Sequence, residues 1–211
     1  MRPFVITRQL DAADADGIAQ AQTLGGAGDL TLNGAFVSGG VATLDAQRAV
    51  AIESTADLSA ITFTVYGTNQ SGIPFSEEVT GPNNNSVYTN GDFLTVTRVS
   101  ADGAVGTNVE VGTNNLGNSP PFFLDRREKP FQVSLVAEFE GTVTCTVQYT
   151  LKEGLNQDVD GSIAAAAIWF DHADLTNISA NDNGSMVSPV QAIRVRTTSG
   201  AGTVTIEGVQ S

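Results

Sequence analysis

The feature that most constrains this chain is a strict two-residue alternation of apolar and polar side chains. Ile61, Phe63 and Val65 alternate with Thr62, Thr64 and Tyr66. Only an extended strand sends successive side chains to opposite faces, so a spacing of two marks a ribbon with one buried face. After the turn-forming run Gly67 to Gly72, a second strand is expected from Ile73 through Val79 into Gly81-Pro82, closing a hairpin. Phe131, Val133, Leu135, Ala137 and Phe139 repeat the pattern, and Val143, Cys145, Val147 and Tyr149 follow it opposite Thr142, Thr144, Thr146 and Gln148. Glu140-Gly141 between them predicts a second hairpin. A third is expected at the C-terminus, where Ile193 and Val195 face inward, Arg194 and Arg196 face outward, and Thr198 to Gly202 turns into Thr203 to Val209.

Further strands are expected near 30–37, 41–44, 49–54, 93–100 and 109–112. Only 16% of the residues are charged, and Thr, Ser, Asn and Gly are abundant, which suits short strands and tight turns. Two segments are candidate helices, 16–24 and 162–170. In the second, Ala164 to Ala167 also suit an extended arm packed on a neighbouring subunit. The strand pattern breaks at Asn114-Asn115-Leu116-Gly117-Asn118-Ser119-Pro120-Pro121. The expected architecture is therefore all-β, with two antiparallel β-sandwich or barrel-like domains, residues 1–118 and 119–211.

Charge narrows the partners. A net charge of −13 opposes binding to phosphate backbones and to anionic membranes, so neither nucleic acid nor membrane is expected as a partner. No apolar run approaches the ~20 residues of a membrane-spanning helix, and the run near Phe4 is too short for the core of a signal peptide. One cysteine excludes an internal disulfide.

The residues Gly28-Asp29-Leu30-Thr31-Leu32-Asn33-Gly34-Ala35, Ile61-Thr62-Phe63-Thr64-Val65-Tyr66-Gly67-Thr68 and Ser76-Glu77-Glu78-Val79-Thr80-Gly81-Pro82 form an ordered series. It continues through Phe93-Leu94-Thr95-Val96-Thr97-Arg98-Val99-Ser100 and ends at Val111-Gly112-Thr113. In order and spacing this series, over roughly residues 25–113, resembles structural proteins of tailed-bacteriophage virions. The resemblance implies a non-enzymatic protein of the virion, made in the host bacterial cytoplasm. Its expected role is to decorate the capsid and stabilise the shell as a homo-oligomer bound to the major capsid protein or other virion proteins. Related modules also occur in connectors, tails and fibres, and a receptor- or carbohydrate-binding module with an exposed platform of Tyr66, Tyr88 or Trp169 is a further alternative.

Each reactive-looking group has an ordinary reading. Asn156-Gln157-Asp158-Val159-Asp160-Gly161 matches the start of an EF-hand loop, but Ala167 stands where the bidentate Glu belongs, which favours a solvated turn. Asp11, Asp14 and Asp16 read as an acidic surface loop. His172, between Asp171 and Asp174, lacks a nucleophile motif and is expected at a surface or interface. Cys145 is expected to be a buried apolar residue, and adjacent Glu77 and Glu78 point to opposite faces. Glu138 and Glu140 share a face near a turn. No catalytic residue, metal or cofactor is expected. The candidate partner interface comprises Arg126, Arg127 and Lys129 past the linker, the aromatic pair Trp169 and Phe170, and the strand cations Arg194 and Arg196.

Overall fold

The computed structural model describes residues 1–127, 129–152 and 168–211. The EF-hand-like run and the alanine run 164–167 lie outside these residues. Nineteen strands and no helix occur among the described residues: β1 Arg2–Leu10, β2 Ala19–Leu24, β3 Gly28–Asp29, β4 Val37–Ser38, β5 Val41–Arg48, β6 Val50–Asp57, β7 Thr62–Thr68, β8 Pro74–Thr80, β9 Asn83–Tyr88, β10 Phe93–Ala101, β11 Val105–Thr113, β12 Gly117–Asn118, β13 Phe122–Phe123, β14 Val133–Gly141, β15 Thr144–Thr150, β16 Phe170–Asp171, β17 Asp182–Met186, β18 Ala192–Ser199 and β19 Gly202–Gln210. The chain is all-β, as its alternation requires. Asp16 to Leu24, a candidate helix, instead supplies β2, whose exposed Gln20 and half-buried Gln22 bond to the loop at 31–33. Of the second candidate helix, only 168–170 are described, and Phe170 opens β16.

The chain divides into two compact units, and a single cut after residue 118 does not describe them. One is Ala13–Asn114; the other joins Met1–Ala12 to 115–152 and 168–211. The first strand belongs with the last because all nine residues of β1 pair with β19, Arg2 with Gln210 through Leu10 with Gly202. The pattern responsible was present in the sequence: Phe4, Ile6, Arg8 and Leu10 are buried while Val5, Thr7 and Gln9 are exposed.

Ala13–Asn114 is a sandwich of two antiparallel sheets, ordered β4-β5-β10-β7-β8, with β3 also on β10, and β2-β11-β6-β9. One core cluster draws Ala42, Leu44, Phe63, Val65, Phe93, Val96 and Val99 from the first sheet and Ala19, Val50, Ile52, Val105, Val109 and Val111 from the second. Burying each large apolar side chain contributes about 1.5–3 kcal/mol, which is why the alternation fixes the inward face. The expected β7–β8 hairpin forms, with Thr62 to Thr68 paired to Thr80 to Pro74 without a register shift. Residues 30–36, expected as strand, are not one; Leu30 is nonetheless buried, its N–H bonded to Val99 O at 2.8 Å.

In the other unit the sheets run β1-β19-β14-β17 and β12-β18-β15-β16, with β13 also on β18. Two expected hairpins are absent here. β14 and β15 lie in different sheets, as do β18 and β19; β14 pairs with β19 and β15 with β18. The two connections therefore pass from sheet to sheet side by side at one corner. Alternation specifies strands but not partners, and the corner depends on glycine. Gly200 and Gly202 have φ of +74° and +135°, and a Cβ on Gly202 would stand 2.1 Å from Glu140 O. Between the glycines, the Thr142 N–H donates to Ala201 O at 2.8 Å and the Ala201 N–H donates to Thr142 Oγ1 at 3.3 Å.

Gly202→Ala is expected to destabilise the protein by about 2 kcal/mol or more in chemical denaturation, through an unfavourable φ and the clash with Glu140. Gly106→Ala, on exposed strand with open space around its Cβ, should change stability by less than about 1 kcal/mol.

Candidate interaction surface

The cross-strand registers decide which candidate residues meet. In the β12-β18-β15-β16 sheet, Ile193 pairs with Phe122 and Tyr149, and Tyr149 with Phe170, forming one rung across four strands. Ile193 is fully buried, so this rung has core-side parity. Phe122 continues the core by stacking on Phe4, with centroids 4.5 Å apart. At the other end of the rung Phe170 remains 46% exposed, its ring 5.7 Å from Tyr149.

One residue further along, the side chains turn to the outer face. Arg194 pairs with Gln148, and Gln148 with Asp171. Arg194 Nε donates to Gln148 Oε1 at 2.8 Å, and Gln148 Nε2 donates to Asp171 Oδ1 at 2.6 Å. The guanidinium lies 4.2 Å from the Trp169 ring centroid, a cation–π contact. Arg194 is consequently buried rather than displayed, contrary to its expected outward exposure, because Trp169 covers it. Arg196, paired with Thr146 and Asn118, stands exposed on the same face. Gln148 and Asp171 were missed as members of this array. The available signal was the polar parity of Gln148 on its own strand, which alternates with Val147 and Tyr149.

Arg126, Arg127 and Lys129 are exposed on the turn that follows β13. The backbone of that turn is held from two sides. Asp125 N–H donates to Gln210 Oε1 at 3.0 Å, and Leu124 N–H donates to Gln191 O at 3.1 Å. These bonds fix the chain at Leu124 and Asp125, just ahead of the cations. Guanidiniums so presented suit carboxylates on a protein partner.

His172 is buried, not at the surface. Its Nδ1 accepts the Asp174 N–H at 3.2 Å while Nε2 lies 3.2 Å from Ser185 O, so the neutral ring carries its proton on Nε2. Both ring nitrogens are engaged in holding residues 172–174 to β17. Cys145 is buried between Val143 and Val147, as expected, and burial pushes its thiol up to about 12. Glu77 is drawn into structure by accepting N–H bonds from Asn90 and Gly91, both at 2.7 Å.

The acidic start meets partners that its spacing did not reveal. Glu53 on β6 pairs directly with Glu110 on β11, and Asp14 and Asp16 lie beside them. Partial burial raises the Glu110 carboxyl, and Glu53, Asp16 and Asp14 raise it further by their charge; Asp16 is raised chiefly by sharing a hydrogen bond with Asp14. Among the described residues, no group of three or more His, Cys, Asp or Glu side chains is arranged to hold a metal ion. The tyrosines named for a sugar platform sit on different sheets of one sandwich. Tyr66 lies beneath the Arg98 guanidinium at 3.8 Å, and Tyr88 lies on the other sheet of that sandwich.

Comparison with protein-family models finds no match, and comparison with curated proteins finds none either.

Glu110→Gln is expected to raise stability at neutral pH. A carboxyl whose folded-state value is raised loses stability as pH climbs from the ordinary glutamate range through the raised value. The gain should therefore vanish when thermal unfolding is followed below the ordinary range, and a gain independent of pH would contradict this assignment.

Proposed function

We propose that this chain is a non-enzymatic structural protein of a tailed-phage virion, one that decorates the capsid and bridges neighbouring subunits of the shell. The observation that carries the reading is that one folding unit contains the whole resembling stretch. Residues 25–113, which bear the resemblance to virion proteins, fall inside Ala13–Asn114, a two-sheet sandwich with its own core. The resemblance thus lies within one folding unit, leaving out its first strand β2, rather than crossing from one unit to the other. Further support comes from the polar residues. Arg194, Gln148, Asp171 and His172 bond to neighbouring elements in ways that fix a surface, and the exposed Arg126, Arg127, Lys129 and Arg196 offer donors to an acidic partner.

On this reading the work is adhesion. Burial of Phe170 and of the arginine-bearing faces against shell subunits opposes the pressure of packaged DNA, and many copies make modest contacts effective. A role in the connector, tail or fibre is the structural alternative, and copy number separates the two.

Quantitative mass spectrometry of purified particles should find on the order of hundreds of copies, whereas about a dozen or fewer would refute decoration. Removing the Arg127 and Lys129 charges together should weaken binding to empty shells by about tenfold, more at low than at high salt, with the thermal midpoint unchanged.

A further inference from the structure

The backbone bonding phase of β1 can be read across the sheet. Gln132 and Ser211 exchange both N–H···O bonds at 3.0 Å, which makes them a hydrogen-bonded pair of the β14–β19 ladder. Bonded pairs recur every second residue, so Val209, Glu207, Thr205 and Thr203 bond toward β14. Gln210, Gly208, Ile206 and Val204 therefore bond toward β1, where their partners are Arg2, Phe4, Ile6 and Arg8. The remaining residues, Pro3, Val5, Thr7 and Gln9, direct their backbone groups away from the sheet. Pro3 suits that edge, since its missing N–H costs no ladder bond.

No strand pairs with this side of β1, and no hydrogen bond reaches the outward N–H or C=O of Val5, Thr7 or Gln9 among the described residues. Other edges are guarded. β2 and β9 have register shifts, β8 carries Glu77 and Glu78, and the Ser185 carbonyl of β17 is bonded to His172. β1 runs nine residues with no shift, and Val5 on its outer face is 58% exposed. A regular open edge of this kind is a template for another strand.

We propose that β1 pairs antiparallel with β1 of a second copy, across a two-fold axis at Thr7, to join two four-stranded sheets into one. The register follows from the donors. With Thr7 facing Thr7 and Val5 facing Gln9, every outward N–H of Val5, Thr7 and Gln9 in both copies meets a carbonyl. An axis at Ile6 places Pro3 against Gln9, leaving the Gln9 carbonyl without a donor. An axis at Val5 sets Arg2 against Arg8, like charge against like. At Thr7 the buried faces also match, Phe4 beside Leu10 and Ile6 beside Arg8. A second copy suits this edge electrostatically as well. Residues 1–12 carry two arginines against one aspartate in a chain of net charge −13, so self-pairing here brings together a segment that escapes the general repulsion. The contact is isologous and closes on itself, consuming both edges.

This inference is independent of the virion reading, since a dimer can occur in a protein of any copy number. Sedimentation equilibrium of the full chain over a dilution series should show a monomer–dimer equilibrium. Thr7→Lys, which places two ammonium groups at the axis and touches no bond to β19, should weaken the dimer by about tenfold or more. Ser134→Lys, on the same outer face but on β14, should leave it unchanged. Amide exchange at Val5, Thr7 and Gln9 of the unaltered protein should slow as concentration rises, a readout that needs no variant. A wild-type chain monomeric throughout, including one whose β1 edge accepts a strand only from a different protein, overturns the proposal. So does a dimer that Thr7→Lys leaves intact.

Discussion

A sheet face carrying Phe63, Val65, Val96 and Val99 with no exposure must be closed by a second apolar face. In each unit, strands from a second sheet supply it. Closure obliges the chain to cross between sheets, and each crossing must keep its backbone groups bonded or in water. The unit that contains both termini meets this demand by taking two strands around one corner together, so that each stretch of crossing backbone supplies bonds to the other. The sandwich of Ala13–Asn114 meets it differently. Its β5–β6 crossing is a single residue, Ala49, beside the buried Arg48, which binds the Asp45 carboxylate and donates to Asn114 O at 3.2 Å at the far end of β11.

Buried arginines recur as such connectors. Arg8, on the inward face of β1, donates to Asn118 O at 2.9 Å and to Thr197 Oγ1 at 3.3 Å, reaching from one sheet to two strands of the other. Arg194 works on the outer face through Gln148 and Trp169. A guanidinium offers five donors in a plane, so it can satisfy several acceptors where a lysine would bind them one at a time. Each such contact ties strands distant in sequence, and the same burial that makes the arginines effective here removes them from the surface available to partners.

What the sequence made legible was the strand content, because period-two patterning is a local property. Phe63, Val65, Val133, Cys145 and Val147 all face inward as their spacing requires. Pairing is not local. Glu140-Gly141 looks like a hairpin turn in isolation and becomes a corner only because Gly200, Ala201 and Gly202 arrive beside it. The same limit governed the site. Trp169, Phe170, Arg194 and Arg196 were visible as residue types, but their assembly depends on the register of β15 with both β16 and β18. His172 was misplaced because its ring lies against Gly184 and Ser185 of β17, positions that nothing near it in the chain announces.

The isolated thiol of Cys145 has a practical corollary. Its N–H donates to Ile178 O at 2.9 Å and its Sγ is sealed against solvent and held protonated, so alkylating reagents cannot reach it while β15 stays seated. Labelling of that sulfur is then a clock for local opening of this one unit, readable at a single atom and silent to events in the other sandwich.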